Sequence, residues 1–115
     1  MSFNYDELVK IKNATDGFFG KKARMAIRAA VIDVAERITA AKKQPVAEQK
    51  ALLLKLLNQK TYLRQTALRS GSASYSNPEW ASAAVCESWL QELLMGDSED
   101  IAMIELILKQ ITERS

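Results

Sequence analysis

The sequence predicts an all-α protein, an antiparallel up-and-down bundle of four main helices with a short N-terminal helix packed across one end. Three observations predict it. Apolar residues recur at three- and four-residue steps through long segments, the two prolines and four glycines fall at segment ends, and no segment alternates with the period of a strand. With 115 residues, 48% of them hydrophobic and 26% charged, residues 1–115 read as a single helical domain able to bury a core without covalent staples.

The first helix is expected from about Tyr5 to Ala14. Asn4 is placed to cap it, Glu7 follows three residues on, and Phe3 and Leu8 hold the two positions of a hydrophobic staple. TDGFFG, Thr15 to Gly20, breaks it, because each glycine lowers helix propensity by about 1 kcal/mol relative to alanine. In the second helix Ala23, Ile27, Ala30, Val31, Val34, Ile38 and Ala41 draw one apolar stripe that stops before Pro45. Pro45 suits the first turn of a third helix, where its missing N–H costs no hydrogen bond, and that helix runs to about Arg69. Leu52, Leu53, Leu54, Leu56 and Leu57 cover more than half of its circumference. It is therefore either central in the bundle or shares a face with another chain. The second and third helices would each be about 36 Å long, enough to overhang the rest and dimerise.

Gly71 is placed to end the third helix, and Asn77 followed by Pro78 is an N-cap and first-turn signature. The fourth helix carries Trp80, Ala84, Val85, Trp89, Leu90, Leu93 and Leu94 and ends at Gly96; two tryptophans at helical spacing in a small bundle read as core. Asp97 caps the fifth helix, with Ser98, Glu99 and Asp100 in its first turn, where negative charge suits the positive end of the helix dipole. Ile101, Ile104, Leu108 and Ile111 form its stripe, widened by Met103, Leu106 and Ile107.

Several kinds of chemistry are excluded or disfavoured. The chain has no histidine, which removes the usual general base near neutral pH and the commonest metal ligand together. The stretch SGSASYSNPEWASAAVCESW is rich in serine, but its serines form a connection without SxxK spacing, and nucleophiles need a held geometry. The one cysteine, Cys86, allows no internal disulfide; with no zinc-like spacing it suits a reducing compartment, the cytoplasm, and two turns into a helix it reads as a buried, inert thiol. Asp97, Glu99 and Asp100 read as cap and dipole complement rather than a metal site. GFFGKK lacks the P-loop spacing, so no catalytic residue, cofactor, metal or small-molecule substrate is expected. No secretory signal is read at the N-terminus, and ALLLKLL, Ala51 to Leu57, is far shorter than the roughly twenty residues of a membrane span. The apolar stripe after Phe18 is needed for the core, so no membrane partner is expected either.

Charge is segregated along the chain. Up to Arg69 there are 14 Lys and Arg against 6 Asp and Glu, net +8; from Ser70 onward there are 2 against 8, net −6. Lys21, Lys22, Arg24 and Arg28 cluster at the start of the second helix, and Lys60 and Arg64, with Arg69, at the end of the third. In an antiparallel pair these clusters share one end of the bundle and form one basic patch, bordered by Lys10 and Lys12. The expected function is a non-enzymatic protein-interaction module of the adaptor, inhibitor, immunity-protein, chaperone or assembly-subunit type. The patch would be neutralised within the fold by the acidic half through solvated pairs worth little each, or would dock an acidic protein or a second copy, with self-association through leucine-rich helical faces. The alternative is a nucleic-acid-binding protein acting through Lys21, Lys22, Arg24, Arg28, Lys60 and Arg64, with binding that falls steeply with salt. No aromatic residues interleave these cations, and the acidic fourth and fifth helices would repel a duplex.

Overall fold

The computed structural model describes residues 9–13, 21–71, 77–96 and 98–113. Every regular element among the described residues is a helix: α1 (residues 9–13), α2 (Lys21–Ala41), α3 (Val46–Arg69), α4 (Pro78–Met95) and α5 (Ser98–Glu113). The cap and staple expected at Phe3, Asn4, Glu7 and Leu8, the break at 15–20, the serine connection at 72–76 and the Asp97 cap lie outside the described residues.

Local chemistry sets the ends of the helices. Pro45 stands one residue ahead of α3, with extended φ and ψ of −55° and 152°. The side-chain amide of Gln49 reaches back to the carbonyls of Gln44 at 2.8 Å and Lys42 at 3.3 Å, tying the α2–α3 turn to the first turn of α3. At the other end, the Ser70 and Gly71 N–H groups donate to Thr66 and Leu68, and Gly71 has φ +75°, a left-handed conformation in which a side chain would be strained. Asn77 Oδ1 accepts from the N–H groups of Glu79 at 2.9 Å and Trp80 at 3.3 Å, with Pro78 at the first helical position, as the Asn-Pro signature predicts. At Gly96 the requirement is room. The buried Glu92 side chain lies across it, and a Cβ there would overlap the Glu92 carboxylate.

The core is one cluster to which all five helices contribute. Ile11 of α1, Ala23, Ile27, Val34 and Ile38 of α2, and Leu56, Leu57 and Ala67 of α3 meet a long run of α4 together with Ile104, Ile107, Leu108 and Ile111 of α5. Trp80 and Trp89 are buried in it, as their spacing predicts. The helix at the centre is α4. It packs extensively on both α3 and α2 and also touches α5, whereas α2 and α3 meet over a short stretch and α3 does not reach α5. Of the two readings of α3, a central helix or a helix sharing a face with another chain, this packing disfavours the first. The leucines of α3 divide: Leu56 and Leu57 enter the core, while Leu52, Leu54, Leu63 and Leu68 stay exposed with Val46 and Tyr62. α4 can take the centre because Ala81, Ala83 and Ala84 let neighbouring backbones approach closely while its tryptophans and Leu90 fill the remaining volume.

The stripe of α5 is narrower than its composition suggests. Ile107 widens it inward, but Met103 and Leu106 point outward.

Candidate functional site

An apolar depression beside the expected cations lies along α2. Lys21, Arg24, Met25, Arg28, Ala29 and Ile32 line a groove of about 400 Å³, and Thr112 at the end of α5 forms its far wall. Helical geometry places these residues together. Positions 21, 25, 28 and 32 recur on one face, opposite the buried stripe of Ala23, Ile27, Val34 and Ile38. Met25 and Ile32 occupy the middle of that outward face and are about half exposed, so the groove has an apolar floor and a cationic edge.

The first turn of α2 contains no acid, and Lys21 and Lys22 sit at the positive end of the dipole, where each costs a few tenths of a kcal/mol to about 1 kcal/mol. Among the described residues, no carboxylate lies within ion-pair distance of Lys21, Lys22 or Arg28. Glu113 lines a second, adjoining depression with Arg28, Val31, Ile32 and Thr112, so one acid lies beyond Arg28.

The cations at the end of α3 have different neighbours. The Arg64 Nη1 donates to Glu87 Oε1 of α4 at 2.6 Å, and its guanidinium carbon lies 5.4 Å from the centre of the Trp80 ring. The Glu87 side chain is 8% exposed and that of Arg64 30%, so this pair works in a largely dry environment and joins the basic half of the chain to the acidic half. Lys60 is half-buried and its charge is felt at Cys86. The first cluster thus borders α5 and the second borders α4. Lys21, Arg24 and Arg28 share one groove, whereas Arg64 is held by α4. The particular pairing of Arg64 with Glu87 and Trp80 was not foreseen from sequence; an acid flanked by Val85, Cys86, Trp89 and Leu90 on α4, at Glu87, was the available signal.

Cys86 is fully buried. Burial pushes its thiol from the usual 9.0 up to about 11, with Lys60 drawing it down and Asp33 pushing it up by smaller amounts. A thiol held neutral in this way is a poor nucleophile, as expected from its place in the helix. At pH 8 alkylation should be at least about a hundred-fold slower in the folded chain than in urea, from the two-unit difference in ionisation alone. Because the folded value lies above the unfolded one, this group's contribution to stability is intact below pH 9 and declines as pH rises toward 11. Native labelling at the rate of an unfolded control would contradict the burial.

Among the described residues there is no group of three or more acidic, histidine or cysteine side chains able to hold a metal ion, and no helix is long and apolar enough to cross a membrane. The fold and this surface therefore define a class, a small helical bundle with a cation-edged apolar groove on one side. In comparisons with known proteins the chain matches no family model, no curated protein and no solved structure at a significant level.

Proposed function

We propose that this chain is a non-enzymatic protein-interaction module that self-associates through its outward apolar helical faces. The observation that carries the reading is the set of large apolar side chains left outside the buried core. Leu52, Leu54, Leu63 and Leu68 on α3, Met25 and Ile32 on α2, and Met103 and Leu106 on α5 are each between 46% and 63% exposed. Single exposed leucines are ordinary on a soluble domain, but rows of them on three helices are the kind of surface that a second protein covers. The lack of histidine and the burial of the one thiol support the non-enzymatic part.

Light scattering on the full chain over a hundred-fold range of concentration tests this. A mass that rises with concentration is expected, and a monomer throughout the range would overturn self-association.

Nucleic-acid binding through a basic patch on α2 and α3 stands second. The groove is lined mainly by apolar atoms, and Arg64 is already engaged with Glu87 and Trp80. Phosphate binding would then rest on the α2 cations and Lys60, and would weaken steeply as salt is raised.

A further inference from the structure

We infer that the groove along α2 receives the outward acidic face of α5 from a second copy of this chain, so that α2 and α5 of two copies form a reciprocal, two-fold pair. The inference rests on the self-association reading above and specifies which surfaces meet.

Charge selects the occupant. The groove places Met25, Ala29 and Ile32 beside Lys21, Arg24 and Arg28. The outward face of α5 carries Ala102, Leu106 and the Lys109–Glu113 ion pair along its middle, with Glu99 and Met103 to one side and Glu105 to the other, all exposed, so that acids outnumber the one cation there. Across α5 as a whole, Glu99, Asp100, Glu105 and Glu113 stand against the single cation Lys109. A partly apolar face of net negative charge therefore meets an apolar floor with cationic edges, an arrangement in which charge sets the register of an interface. Glu99 and Asp100 are explained in part by the helix dipole. Glu105 and the outward Leu106 lie beyond the first turn and have no such local role.

The alternative of α3 against α3 is disfavoured by the same reasoning. Its exposed leucines are flanked by Lys50, Lys55 and Arg69, with Glu48 the only acid on that helix, so two copies meeting there would bring like charges together. Position also favours the α2–α5 pairing. The groove and the acidic face lie on neighbouring helices, since α2 packs on α5 and Thr112 forms the groove wall. A two-fold axis beside them lets each copy give one face and receive the other, and such a contact closes on itself instead of growing into a filament.

Charge reversal and rescue in the full chain provide the test, read by sedimentation velocity at low salt with helicity checked by circular dichroism. Lys21→Glu with Arg28→Glu should weaken dimerisation about a hundred-fold, as should Glu99→Lys with Glu105→Lys. All four substitutions in one chain should return the affinity to within about ten-fold of the original, a recovery that damaged folding would not produce. A dimer that ignores both reversals but is lost on Leu54→Glu would overturn the groove assignment while leaving self-association intact. So would reversals that the combined chain fails to rescue. A wild-type chain that stays monomeric throughout would overturn both.

Discussion

Leu90→Ala is expected to destabilise the chain by about 3–5 kcal/mol, the upper part of the range for leucine truncation in a core. Leu90 is fully buried on α4, the helix that α2, α3 and α5 all touch. A cavity opened there is bounded by several helices that are each held by other contacts, so little of it can collapse. Leu54→Ala makes the natural control. Leu54 is about half exposed on the outer side of α3, and its removal should cost less than about 1 kcal/mol in the monomer. Urea unfolding of both variants at low protein concentration measures the difference. Equal losses would mean that α4 is not the centre of the bundle.

The second large effect is expected at Arg64. Truncation to alanine strips Glu87 of its partner while leaving the carboxylate in a nearly dry site, and it also removes the cation from the face of Trp80. Loss of one member of a buried pair costs about 3–5 kcal/mol; because the Arg64 side chain keeps 30% of its surface in water, about 2–3 kcal/mol is the better expectation here. The double change Arg64→Met with Glu87→Met should recover most of that loss, since it removes the stranded charge along with its partner. A double variant no more stable than Arg64→Ala would show that shape, and not the buried charge, sets the cost.

These two residues also show how far the sequence could be read. Helix boundaries were legible where one residue type has one physical use. Asn77 before Pro78 caps α4, the glycine at position 71 takes a left-handed turn, and Pro45 separates α2 from α3. The buried stripe of α2 was legible too, because Ala23, Ile27, Val34, Ile38 and Ala41 keep a single helical period. The rank of the helices was not. Five leucines within six residues drew attention to α3, but a helix surrounded by leucine still buries only the side that another helix covers. α4 drew less attention because alanines take the place of a leucine run and it carries Glu87 and Glu92, yet small side chains are what allow three helices to crowd around it.

The groove was half legible. Lys21, Arg24 and Arg28 stood out as a cationic cluster, and the structure brings them to one edge of one depression. Their apolar companions Met25 and Ile32, and the wall supplied by Thr112, depend on where α5 lies, which no local pattern reports.

What the sequence determined by itself is the helical class, the places where most helices start and stop, and a chemistry without histidine in which the one thiol sits inside a helix. These follow from propensity, capping and composition, all of which act within a few residues. Only the tertiary structure decided that α4 lies at the centre, that Arg64 neutralises a buried acid, and that apolar rows on α2, α3 and α5 remain uncovered. Those outcomes depend on which faces of distant helices meet, and a period of 3.6 residues marks a face without naming the partner that will bury it.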